Sequence, residues 1–166
     1  MNISIRLKAV KSIALISLMI VFGVNSADYP TAPAWQLKTQ AGENISLSDY
    51  RGKPVILHFW ATWCPYCKKL QPKLVELEKK YQDSGIKIVS ISFNEDEGAM
   101  PQDEIKARGY DFITAVNGEA VVELYGVKGT PTTFFINRQG KAIYKSTSSD
   151  ITNPKLALAV KEIIKP

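Results

Sequence analysis

The sequence predicts an α/β or α+β sandwich, a mixed sheet with helices on both sides, built as a single domain. Three observations predict it. From Asp28 onward, segments of strand and helix pattern alternate with no internal repeat or low-complexity tract. One segment, Val55-Ile56-Leu57-His58-Phe59-Trp60, is an apolar run broken only by a histidine, as expected of a strand covered on both faces. The composition, 45% hydrophobic and 22% charged over 166 residues, lies in the globular range and excludes disordered, collagen-like and disulfide-dense chains.

The first stretch does not read as part of that domain. Arg6, Lys8 and Lys11 precede an apolar run at 13–24 and the small residues Asn25-Ser26-Ala27, the pattern of a secretory signal peptide. The run falls short of the roughly 20 residues that span a bilayer, so cleavage after Ser26 or Ala27 is expected over retention as an inner-membrane anchor. The domain boundary is therefore drawn as 1–26 for the signal peptide and 27–166 for the folded domain. The full chain carries 21 Lys and Arg against 16 Asp and Glu, a net charge of +5. Removing the three leader bases leaves 18 against 16, or +2, which gives no argument for nucleic-acid binding. About 140 residues bury roughly two thirds of their unfolded surface, enough for a core without staples.

The elements follow in order. Residues 35–37 and 44–47 flank a turn at Gly42 and read as a short hairpin, followed by a helical turn at Ser48-Asp49-Tyr50 and the punctuation Gly52-Lys53-Pro54. After the 55–60 strand, residues 65–82 turn helical. Leu70, Leu74, Leu77 and Tyr81 share one face, Lys69, Lys73, Glu76 and Lys80 the other, and Ser84-Gly85 ends the helix. Pro65 suits the first turn, whereas Pro72 should kink the middle. A strand at 86–93 leads to a polar insert at 94–100, a helix opening at Pro101, a strand at 112–116 and a helix at 119–125. A strand at 132–136, a turn at 137–140 and a strand at 141–145 come next. Asn153 caps a final helix with Pro154 in its first turn and Leu156, Val160, Ile163 and Ile164 along one face.

Both cysteines lie in Trp63-Cys64-Pro65-Tyr66-Cys67. A structural disulfide stabilises chiefly by closing a long loop, and two intervening residues close almost nothing. Zinc wants four ligands and only His58 remains to help, so neither a metal nor another cofactor is expected. Redox chemistry fits better. A thiol at a helix N-terminus feels the positive end of the helix dipole and free N–H groups, both of which favour thiolate. Cys64 has that position and attacks a target disulfide; Cys67, one turn later, resolves the mixed disulfide, with greater exposure expected for Cys64.

Phe59-Trp60-Ala61-Thr62-Trp63-Cys64-Pro65-Tyr66-Cys67, Pro72 and Gly129-Thr130-Pro131-Thr132-Thr133-Phe134 resemble the thioredoxin superfamily, specifically its exported TlpA-like disulfide reductases. The resemblance spans most of 27–166, including Leu47-Ser48-Asp49-Tyr50-Arg51-Gly52-Lys53 and the central insert. It implies a thioredoxin-like three-layer sandwich with an N-terminal hairpin, a cis Pro131 against the cysteines, and a Thr130 backbone that pairs with substrate. It also implies recharging by a membrane electron donor of the thiol-transporting type. His58 lies six residues before Cys64, where thioredoxins carry a buried acid and many TlpA-like proteins an amide. A neutral imidazole there could accept the Cys67 proton; the plainer alternative is a core histidine satisfied by hydrogen bonds. Trp63 is expected to be partly exposed as a substrate contact, and Pro65 and Tyr66 to help set the redox potential. Lys68, Lys69 and Lys73 read as a solvated helix face. Leu70 and Thr132 stand where members devoted to cytochrome c maturation tend to carry glutamates. The resemblance therefore extends to general thiol exchange and does not carry assignment to cytochrome assembly.

The expected function is that of a monomeric periplasmic thiol–disulfide oxidoreductase reducing disulfides of exported proteins. An oxidase or isomerase would use the same atoms at a different potential. A thioredoxin-like copper or peptide carrier is the alternative of another class. It is disfavoured because no exposed histidine is expected as a further, separately placed ligand and because Met100 is the single methionine of 27–166.

Overall fold

The computed structural model describes residues 29–166, and the leader expected at 1–26 lies outside them. Seven strands form one open mixed sheet: β1 (Gln36–Thr39), β2 (Asn44–Ser46), β3 (Val55–Trp60), β4 (Lys87–Ser92), β5 (Ile113–Val116), β6 (Thr132–Ile136) and β7 (Ala142–Ser146). Their order across the sheet is β2-β1-β5-β4-β3-β6-β7. Four helices cover it: α1 (Pro65–Lys80), α2 (Pro101–Ala107), α3 (Glu119–Leu124) and α4 (Pro154–Ile163). The apolar run is β3, parallel to β4 and antiparallel to β6, and all six of its residues are buried.

Alternation along the strands divides the interior into two layers. Ile56 and Trp60 face Leu70, Leu74 and Leu77 of α1, Ile105 of α2, and Leu156, Val160 and Ile163 of α4. Val55, Leu57 and Phe59 face the opposite side, with Val121 of α3, Tyr125, Ala32 and Trp35. The helices expected on both faces are thus present but unequally shared, three on one side and one on the other. The second side is completed by an N-terminal strap. Ala142 donates to Pro30 O and Ala32 to Gly140 O at one edge, Leu47 donates to Trp35 O near the hairpin, and Tyr125 Oη donates to Pro33 O at 2.6 Å in between.

Every expected element is found, with ends displaced by a residue or two. Leu47 leaves the hairpin for a 3-10 turn over Leu47–Tyr50, whose start is fixed by the Ser46 N–H donating to Asp49 Oδ2 at 2.7 Å. α1 stops at Lys80, and a second 3-10 turn, Gln82–Ser84, leads to Gly85 at φ +75°, a backbone conformation that favours glycine. Asn153 caps α4 as expected, its Oδ1 accepting from Lys155 N–H at 3.0 Å.

The disturbance expected at Pro72 takes a specific form. α1 continues through it, but proline has no N–H for the carbonyl four residues back, which belongs to Lys68. Arg108, at the end of α2, supplies the missing donor: its Nη2 donates to Lys68 O at 2.7 Å.

Candidate active site

The exit of β3 delivers the chain directly into α1, and Cys64 is the residue between them. Its N–H donates to Ala61 O, its backbone is extended at φ −85°, and its Sγ accepts from Cys67 N–H at 3.1 Å. Cys64 is therefore the N-cap of α1, with Pro65 following in the first turn where no intrahelical donor is lost. The two sulfurs are joined as a disulfide. Cys64 is 2% exposed and Cys67 fully buried, so the difference in exposure expected between them is small in this form. Position separates them better: Cys64 stands at the positive end of a 16-residue helix, Cys67 on its inward face.

Around the pair the structure places the other expected residues. Trp63 and Tyr66 are 50% and 62% exposed, an apolar rim beside the sulfurs, and Pro65 is exposed between them. The Thr130–Pro131 peptide is cis. Thr132 pairs with Phe59 across β6 and β3, so Pro131 enters its strand beside the end of β3 that leads to Cys64. Pro131 is buried and Thr130 half-buried. Lys68 pairs with Glu104 at 2.8 Å and Lys73 with Glu76 at 2.7 Å, while Lys69 is exposed, so the helix face is charged but largely neutralised.

His58 is fully buried on the face of β3 that looks toward α1. Its Nδ1 lies 3.0 Å from Thr133 Oγ1, and its Nε2 has no partner among the described residues. Burial pushes its pKa down from 6.5 to about 3, so the imidazole is neutral at working pH. His58 is also the centre of a row that sequence alone does not reveal. Strand register aligns Thr114, Ser90, His58, Thr133 and Ser146 across five strands, and all five are buried. Ser90 Oγ and Thr114 Oγ1 are 2.7 Å apart, which satisfies that pair within the row.

A second set of functional neighbours comes from the polar insert. Both carboxylate oxygens of Glu95 accept from Thr62 N–H at 3.0 Å, and Thr62 Oγ1 donates to Oε2 at 2.5 Å. Trp63 Nε1 donates to Asn94 O at 2.7 Å, and Asn94 N–H in turn to Glu119 Oε1 at 2.9 Å. The loop that presents Cys64 is thus clipped to residues more than 30 positions away. Sequence reading missed Glu95 because no period links it to Thr62. Gln71 was missed for a different reason: it lies on the apolar face of α1 between Leu70 and Leu74, where its amide was a readable exception. Among the described residues, no group of three His, Cys, Asp or Glu side chains is placed to hold a metal ion.

A mixed sheet that carries a cysteine pair at a helix N-terminus, with a cis proline at the neighbouring strand entry, defines the thioredoxin-like class. The chain belongs to the AhpC/TSA family, whose model matches residues 30–145. It is 35% identical over 113 residues to the thiol-disulfide oxidoreductase ResA of Bacillus thuringiensis subsp. konkukian, a match covering 68% of this chain and 65% of that one. The chain thus spans just under two thirds of that relative's length. ResA of Halalkalibacterium halodurans is 31% identical over 131 residues, covering 78% of this chain and 73% of the relative. Among solved structures, the thioredoxin domain of a thiol-disulfide oxidoreductase from Bacteroides vulgatus superposes with a TM-score of 0.71. That match covers 84% of this chain and all of that one and, at 23% identity, speaks for the fold alone. The thioredoxin-like fold and the kinship with TlpA-like thiol-disulfide oxidoreductases expected from the sequence are both found.

Proposed function

We propose that the protein is an exported thiol–disulfide oxidoreductase that works as a reductant through Cys64 and Cys67. The observation that carries this reading is the cysteine pair itself, joined across one helical turn with Cys64 as the N-cap of α1. In the reduced protein the Cys64 thiolate attacks a sulfur of a target disulfide, forming a mixed disulfide and releasing the other target sulfur as a thiolate that water protonates. Cys67 then loses its proton and attacks Cys64 Sγ, which releases the target's second thiolate and forms the Cys64–Cys67 disulfide. The target gains two electrons; a membrane dithiol donor of the thiol-transporting type restores them. Trp63, Thr130 and Pro131 form the docking surface, with the Thr130 backbone pairing to an extended target segment, and Pro65 and Tyr66 tune the potential. Residues 1–26 act as the signal peptide, which places the domain at 27–166 in the periplasm. Among the described residues no helix is long and apolar enough to cross a membrane.

His58 enters this scheme in a restricted role. A group whose pKa burial pushes down to about 3 is a poor store for the proton of a thiol with an ordinary pKa of about 8.5, because the transfer runs strongly uphill. His58 therefore acts as a neutral hydrogen-bond partner or a momentary relay through its Thr133 bond, not as the final acceptor.

Trapping tests the reading. Cys67→Ser should hold a target protein as a mixed disulfide on Cys64, released by dithiothreitol, and the parent protein should reduce a model disulfide such as that of insulin. Trapping by Cys64→Ser instead would reverse the two roles, and the absence of exchange by the parent would defeat the proposal.

A further inference from the structure

Beneath α1 lies a small group of buried polar atoms without hydrogen-bond partners among the described residues. Gln71 is fully buried, and neither its Oε1 nor its Nε2 has a partner among the described residues; the same holds for His58 Nε2. Burying one amide without hydrogen bonds opposes folding, so an apolar residue would serve packing better at this position. The surroundings offer no relief: Ile56, Leu70 and Leu74 are apolar neighbours in the same layer. Gln71 follows Cys67 by four residues, and both are buried on the sheet-facing side of the helix. Residues at that spacing are neighbours on a helix surface, and helical side chains lean toward the N-terminus, which directs the Gln71 side chain toward the turn that carries Cys67. His58 reaches the same layer from below, between Ile56 and Trp60 of β3.

The disulfide changes what this layer contains. When two glutathione thiols reduce it, the Sγ–Sγ bond breaks, each cysteine sulfur gains one electron and one proton, and glutathione disulfide forms. Cys67 then presents an S–H, or a thiolate, inside a layer where a carboxamide and an imidazole nitrogen stand without partners. We propose that Gln71 is a positioning residue of the cysteine pair: with His58 Nε2 it forms one buried polar unit that hydrogen-bonds the Cys67 sulfur in the dithiol and thereby favours the reduced form. Arg108 reaches α1 from the end of α2, its Nη2 donating to Lys68 O three residues before Gln71. The proposal rests on the reading of Cys64 and Cys67 as a reversible redox pair.

The test is the equilibrium constant for reduction by glutathione, measured on the parent, Gln71→Leu, His58→Asn and the double variant. Gln71→Leu removes the amide at nearly constant volume and should lower that constant about tenfold, which is about 30 mV toward a more negative potential. In the His58→Asn background the same substitution should change it by less than about twofold, because the partner of the unit is already altered. By linkage, Gln71→Leu should raise the unfolding midpoint of the oxidised protein more than that of the reduced one. Gln71→Met replaces the leucine variant if the latter does not fold. An equilibrium constant within twofold of the parent, or an undiminished shift in the His58→Asn background, overturns the role of Gln71. A parent protein with no reversible equilibrium with glutathione overturns the oxidoreductase reading as well, so the two failures are distinguishable.

Discussion

Burial at the centre of β3 keeps His58 neutral, and this ties the stability of the whole domain to pH. In the unfolded chain the imidazole takes a proton below about pH 6.5, whereas in the folded protein it does so only near pH 3. The unfolded state therefore binds more protons between these values, so the stability contributed by neutral His58 is full above about pH 6.5 and is lost as pH falls toward 3. The expected slope is about 1.4 kcal/mol per pH unit in that window. Denaturant titrations at several pH values between 4 and 7 should show it for the parent and show a flatter profile for His58→Asn; identical slopes would mean the histidine is not the linked group. Glu95 is tested differently. Among the described residues its carboxylate is the only acceptor for Thr62 N–H and for Thr62 Oγ1, both part-buried. Glu95→Ala leaves that N–H without its acceptor, at a cost of about 1–3 kcal/mol. The loss should appear in the unfolding midpoint and should be accompanied by faster proteolysis of the 61–63 loop.

At the scale of elements, the junction of α1 and α2 shows how a helix tolerates a proline. Lys68 O lacks its intrahelical donor because residue 72 is proline, and Arg108 Nη2 takes that place from another helix. The two features are therefore coupled in a way that a double-mutant cycle can read. Arg108→Leu should cost about 1–3 kcal/mol, since it strands a part-buried carbonyl between α1 and α2. Pro72→Ala restores an N–H to the helix, so in its presence Arg108→Leu should cost markedly less. Equal costs in both backgrounds would show that the arginine contributes only by packing on Tyr110, whose ring lies 5.6 Å from the guanidinium carbon. The proline was legible in the sequence, and so was the disturbance it brings. Its compensation was not, because Arg108 belongs to a different helix and only the packing of α2 on α1 brings them together.

That contrast holds across the molecule. Periodicity and punctuation were enough for the elements: the β6 strand at 132–136 and the Asn153 cap were readable to the residue, since both depend on local chemistry. The cysteine pair and the cis proline were readable through spacing and resemblance. The cross-sheet row through His58, the Glu95 clip and the strap at 30–35 were not, because each exists only once strand register and chain path are set. The strap carries the last test. It covers the second layer from the β7 edge to the hairpin, burying Ala32 and Trp35 against Phe59, Val121 and Tyr125. Tyr125 Oη closes it by donating to Pro33 O, and burial raises that hydroxyl's pKa above its ordinary value, so it remains a donor across the neutral range. Tyr125→Phe keeps the ring, its contacts with Phe59 and Phe134, and the layer's volume, removing only the bond. The expected loss is about 1 kcal/mol of global stability. Hydrogen exchange should quicken at Ala32 and Ala142, whose N–H groups hold the strap to the β7 edge, while the amides of β3 keep their protection. Uniformly faster exchange would show instead that strap and sheet open only together.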